Sequence, residues 1–170
     1  MYKLTFVVIA LSVLLLGSLA YGQGYYGQSY EQQAYNAWRA RAGYYDLGDA
    51  GSDLGFGVDY TSRQWLASFD YVTTEQYGED FDIWSVSGSW LWRRPAQPGT
   101  YYGAGLGWYD VTVADESDDD IGYHVLVGTQ FGSSDQFGEP AWFAEARYVL
   151  GTGFDGGDID GFQLYIGRRF

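Results

Sequence analysis

Along Trp84–Trp92 every second residue is Trp84, Val86, Gly88, Trp90 and Trp92, and the positions between them begin Ser85, Ser87, Ser89. Successive side chains of an extended strand leave on opposite faces, so a period of two with one apolar and one polar face specifies a strand between two unlike media. The same period runs from Ala34 to Phe170, with no competing helical period. The apolar sets are Trp38, Ala40, Ala42, Tyr44; Leu54, Phe56, Val58, Tyr60; Trp65, Ala67, Phe69, Tyr71; the Trp84–Trp92 set; Tyr102, Ala104, Leu106, Trp108; Tyr123, Val125, Val127, Thr129, Phe131; Trp142, Ala144, Ala146, Tyr148; and Phe162, Leu164, Ile166, Phe170. Eight strands of this kind predict an all-β chain.

Aromatic residues stand at both ends of these sets. If the strands meander up and down, Trp38, Tyr60, Trp65, Trp92, Tyr102, Phe131, Trp142 and Phe170 form one ring. Tyr44, Phe56, Tyr71, Trp84, Trp108, Tyr123, Tyr148 and Phe162 form the other, with mostly Ala, Val, Leu and Ile between them. Amphipathic rings settle at headgroup level and hydrocarbon accepts only apolar side chains, so two aromatic girdles around an aliphatic band describe a transmembrane β-barrel surface. Lipid cannot hydrogen-bond an open strand edge, so the first strand must pair with the last. A soluble periplasmic ligand-binding barrel is the alternative; it would have to bury this face, and seven Trp do not suit so narrow an interior.

The N-terminus has the layout of a secretory signal peptide over residues 1–22: Lys3, an apolar run from Leu4 to Leu16, and small residues before a cut after Ala20 or Gly22. The run is too short to span a bilayer as a helix. A Tyr, Gln and Gly-rich leader follows over residues 23–33, and the barrel occupies 34–170. Without the signal the chain carries eight Arg and 22 Asp plus Glu, so 8 − 22 gives a formal charge of −14, which argues against nucleic acid as a partner. There is no Cys, and hence neither disulfide nor thiolate metal site.

The opposite face of the strands carries Arg39, Arg41 and Arg147 with Asp59, Asp70 and Glu145. An eight-stranded interior is about filled by its own side chains, so these six groups are expected to pair and plug the lumen; a narrow channel is the competing reading. Acidic connections, Asp46–Asp53, Thr73–Asp82, Val113–Asp120 and Gly151–Asp160, alternate with basic ones at Arg63, Arg93 and Arg94, which share an end with Arg168 and Arg169. The acidic end is expected at the cell surface. Within it Asp115, Glu116, Asp118, Asp119 and Asp120 offer hard oxygen ligands to Ca²⁺ or Mg²⁺ but lack the glycine and closing Glu of a defined calcium loop, so a solvated charge run is favoured and neither cofactor nor metal is expected. The single His124 falls on the lumen face near the outer rim, within reach of Ser85, which admits a His-dependent acyltransferase or protease. No nucleophile elbow or phosphate loop accompanies it, so an enzyme is not expected.

The signal segment, eight alternating strands and a last strand Gly161–Phe170 ending in Phe together resemble the small outer-membrane β-barrel proteins of the OmpA and OmpX type. The resemblance implies residence in the outer membrane of a Gram-negative-type bacterium as a monomer, among lipid and lipopolysaccharide. It also implies that Phe162, Leu164, Ile166 and Phe170 serve as the signal read by barrel-assembly machinery. Arg168 departs from that pattern, which has an aromatic or apolar residue there. The function expected is structural or interactive, through acidic outer loops recognising an external ligand or cation-bridged lipopolysaccharide.

Overall fold

In the computed structural model, residues 37–62, 64–76, 78–93, 99–113, 116–134, 140–154 and 157–170 are described. The signal and leader segments, residues 34–36, Arg63, Arg94 and Asp115 lie outside them. The strands are β1 (Ala37–Asp46), β2 (Ser52–Ser62), β3 (Trp65–Gln76), β4 (Glu79–Arg93), β5 (Thr100–Val113), β6 (Glu116–Ser134), β7 (Pro140–Leu150), the short pair β8 (Gly153–Phe154) and β9 (Gly157–Asp158), and β10 (Gly161–Arg169). All but β8 and β9 close into one barrel in the order β1-β10-β7-β6-β5-β4-β3-β2. The closing seam is antiparallel and unbroken from Arg39↔Arg169 to Tyr45↔Gln163.

The alternation in sequence becomes an alternation in burial. Along β1 Trp38, Ala40, Ala42 and Tyr44 face out while Arg39, Arg41 and Tyr45 are buried. Exposure is highest where the sequence is most apolar: Trp65 is 59% exposed and Phe170 62%, whereas Arg39 and Asp59 are 1% and 0%. This inversion excludes a water-soluble barrel, which would turn its apolar face inward. Edge-to-face pairs such as Trp65 with Trp90 and Trp84 with Trp108, each with ring centroids 4.7 Å apart, tie neighbouring strands together within the girdles.

Three layers fill the lumen. At the outer end Tyr45, Val72, Ile83, Tyr109, Val111, Val149 and Tyr165 pack under Leu47, Ala50 and Ile159, which come from the β1–β2 and β7–β10 connections. At the opposite end Leu66, Leu91, Tyr101 and Leu126 form a second apolar layer. The charged groups lie among the side chains between the two.

Strand heights are unequal, and two of the expected acidic loops are shorter than their composition predicts. Thr73–Asp82 and Val113–Asp120, expected as loops, are largely strand: β3 and β4 pair as far as Gln76↔Glu79, turning through Gly78 at φ +83°, and β5 and β6 pair as far as Val113↔Glu116. Polar residues still alternate there, and a ladder continues wherever a neighbour can pair it. Since β4 and β5 also pair up to Phe81↔Val113, strands β3 to β6 project as one four-stranded wall above β7, whose pairing with β6 begins only at Tyr123↔Leu150.

Candidate functional site: lumen charge layer and outer rim

The six lumen charges converge. Arg39 Nη2 lies 2.7 Å from Asp59 Oδ2 and 3.3 Å from Glu145 Oε2. Arg41 Nη2 lies 2.7 Å from Asp70 Oδ2 and its Nη1 3.3 Å from Glu145 Oε1. Arg147 Nη2 approaches the same Glu145 oxygen at 3.2 Å, so one carboxylate from β7 ties all three guanidiniums. Charges of opposite sign in equal number, each with several donors or acceptors, are the condition under which ion pairs tolerate removal from water.

Residues not anticipated from the charge pattern complete the network. Tyr101 donates to Glu145 at 2.8 Å and accepts from Arg39 at 2.9 Å, and Tyr45 donates to Asp70 at 2.7 Å. Ser87 and Ser68 accept from Arg147 at 3.3 Å. Phe143 and Tyr165 place their rings 3.9 and 4.1 Å from the Arg39 and Arg41 guanidinium carbons, adding cation–π attraction where water is excluded. All share the inward parity of their strands, which was the available signal.

His124 is displaced from its expected place. It pairs across the sheet with Gly105, four residues from both Tyr101 of the inner layer and Tyr109 of the outer one, so it stands at mid-wall and not at the rim. Its hydroxyl partner is Ser89, with Oγ 2.7 Å from Nε2, and not Ser85. Both residues are 1% exposed, and Nδ1 has no hydrogen-bond partner in the described structure. A catalytic imidazole needs a group that orients it and a route for substrate, so this pair reads as a buried structural contact.

At the outer rim the carboxylates fall into two sets. Asp82, Asp110 and Asp119 point outward just beyond the girdle: Asp82 accepts from Tyr71 at 2.9 Å and Thr73 at 2.8 Å, Asp110 from Ser117 at 2.9 Å, and Asp119 from Trp108 Nε1 at 2.6 Å. Asp110 and Asp119 are direct cross-strand partners despite their like charge. Other rim carboxylates turn back onto backbone amides. Asp160 takes the amides of Gly151 and Thr152, each at 3.0 Å, and the Thr152 hydroxyl; these outweigh a desolvation that pushes its pKa up and leave it below the usual aspartate range. Asp120 is likewise lowered, by the amides of Gly153 and Ile121. Of the run considered for metal, Glu116, Asp118, Asp119 and Asp120 lie along β6, with side chains leaving alternately on its two faces. No group of three His, Cys, Asp or Glu residues suited to a metal ion occurs among the described residues.

Phe162, Leu164, Ile166 and Phe170 share the outward face of the last strand, and Arg168 joins them with its guanidinium carbon 5.8 Å from the Trp142 ring centroid.

No family model matches the sequence, and no curated protein does. Solved structures do match. The Neisserial surface protein A barrel is 20% identical, with a TM-score of 0.57, over 78% of this chain and 94% of that one. The chain has the fold of the small eight-stranded outer-membrane β-barrels. The N-terminal barrel of Pseudomonas aeruginosa OprF (16% identical, TM-score 0.49, 81% of this chain and 100% of that one) and Yersinia pestis Ail, the attachment invasion locus protein (16%, 0.46, 79% and 99%), are further matches. With the apolar face turned outward, this small outer-membrane-type barrel is a membrane barrel protein.

Proposed function

We propose that this small outer-membrane-type barrel is a non-enzymatic protein of the outer membrane whose role is structural and interactive, exercised at its acidic outer rim on cation-bridged lipopolysaccharide. The observation carrying this reading is the belt Asp82, Asp110 and Asp119, directed outward where headgroups begin, with Asp82 and Asp119 held by the girdle residues Tyr71 and Trp108 and Asp110 by Ser117. Carboxylates at that depth face phosphate groups of like charge, and a divalent cation is the hard counter-ion that joins the two. Among the described residues of the lumen, two apolar layers enclose a layer in which Asp59, Asp70 and Glu145 are paired with Arg39, Arg41 and Arg147. The Phe162, Leu164, Ile166 and Phe170 stripe supports recognition by barrel-assembly machinery.

The test is binding of the refolded, detergent-solubilised protein to lipopolysaccharide aggregates with Mg²⁺ or with a chelator. Binding is expected with Mg²⁺ only, and the triple variant Asp82→Asn, Asp110→Asn, Asp119→Asn should lose on the order of tenfold in affinity, about 1.4 kcal/mol. Binding indifferent to chelator and to the triple variant would sink the reading. Planar-bilayer recordings should show no steady conductance; a stable unitary current would instead establish the channel alternative.

A further inference from the structure

The projecting wall should be a hazard. Where β6 rises above β7, residues 116–122 have a ladder to β5 on one side and no β7 partner on the other. An open edge of this kind displays amides and carbonyls at the spacing of a missing strand, and the nearest complementary strand in a crowded membrane is the same edge of a second copy.

The edge is not open in chemical terms. The Asp119 amide donates to Asp118 Oδ1 at 2.9 Å and the Ile121 amide to Asp120 Oδ1 at 2.7 Å. Amides two residues apart leave a strand on the same side, so these are successive donors of one edge, each occupied by the carboxylate of the residue before it. The other Asp120 oxygen takes the Gly153 amide at 2.7 Å and fastens the β7–β10 connection beside this edge. The same local bond recurs on β2, beside the wall and outside it, where pairing with β3 ends. Leu54 lies one residue beyond the last β2–β3 pair, Gly55↔Val72, and its amide donates to Asp53 Oδ1 at 2.6 Å.

We infer that Asp118 and Asp120 are edge guards, whose carboxylates occupy the strand-addition donors of the projecting wall and keep the barrel from pairing edge to edge with a second copy of itself. These are different carboxylates from the outward belt, so the inference stands or falls apart from lipopolysaccharide binding. Guarding needs an acceptor oxygen at that position and does not need a negative charge. Asn retains the oxygen and Ala does not.

The experiment compares Asp118→Ala/Asp120→Ala with Asp118→Asn/Asp120→Asn in the full chain, folded in detergent micelles and checked for the gel shift on boiling. Amide exchange at Asp119 and Ile121 is followed by NMR, and mass by light scattering across a concentration series. In the Ala pair exchange at both amides should accelerate on the order of fivefold to tenfold, the worth of one hydrogen bond, and a dimer should appear as concentration rises. The Asn pair should remain protected and monomeric. The inference is overturned if the Ala pair keeps wild-type exchange, or stays monomeric throughout, or if the Asn pair dimerises equally, which would make charge repulsion the cause. Should the double Ala variant fail to fold, Asp118→Ala alone, at an exposed site without the Gly153 contact, gives the same reading through the Asp119 amide.

Discussion

Carboxylates do opposite work at the two levels of this barrel. In the lumen Asp59, Asp70 and Glu145 are closed in with Arg39, Arg41 and Arg147, and each takes at least one guanidinium. At the outer rim Asp82, Asp110, Asp119, Asp120 and Asp160 are met by hydroxyls, an indole and backbone amides. The difference follows from the medium. Away from water a bare charge costs several kcal/mol and must be matched by its opposite, whereas at a wet rim the solvent screens it and neutral donors suffice. Residue type alone therefore says little about what a carboxylate contributes; the burial around it decides.

The sharpest way to break this contrast is to remove one lumen partner. Glu145→Ala removes the one carboxylate shared by three guanidiniums and leaves two carboxylates, Asp59 and Asp70, against three buried arginines; it should cost about 3–5 kcal/mol, read as a lower urea midpoint for unfolding from micelles. Next in size is a change of volume in the same wall. A Cβ on Gly105 would meet the Gly88 carbonyl and the His124 ring, so Gly105→Ala should cost about 1–3 kcal/mol in the same assay. At the rim Asp160→Ala removes acceptors from Gly151 and Thr152 and should cost about 1 kcal/mol, seen as faster exchange at those two amides. Acid acts on the same contacts. Because Asp120 and Asp160 titrate below the ordinary 3.8, their stabilisation is complete above that value and is lost as pH falls through their own depressed pKa values. The Gly151, Thr152 and Gly153 amide shifts should therefore move only below about pH 4. Smallest of all, Gly88→Ala on the lipid face, where a Cβ meets nothing within 4 Å, should change stability by less than about 0.5 kcal/mol.

The barrel was legible because two media read the two faces of each strand separately: Trp38 and Arg39 are neighbours in sequence and opposites in exposure. The six lumen charges were legible for the same reason. Their aromatic and hydroxyl partners were not, since nothing in the pattern says that Tyr101 on β5 meets Glu145 on β7; that depends on the curvature of the closed sheet. Strand ends are not legible at Thr73–Gln76 and Glu116–Asp120, where polar residues resemble a loop although a neighbouring strand supplies a ladder. The height of His124 is not legible because sequence spacing cannot give the stagger between β5 and β6, on which its pairing with Gly105 depends.

The position of Glu145 has a consequence for how the barrel closes. Arg39 and Arg41 are on the first strand and Glu145 on β7, with the last strand between them, so their contact bridges the seam and exists only once the ends have met. A slip of one residue along that seam would swing both arginines into hydrocarbon and Trp38 inward. The polar interior thus sets the alignment at closure, favouring one register of first strand on last over those one residue away.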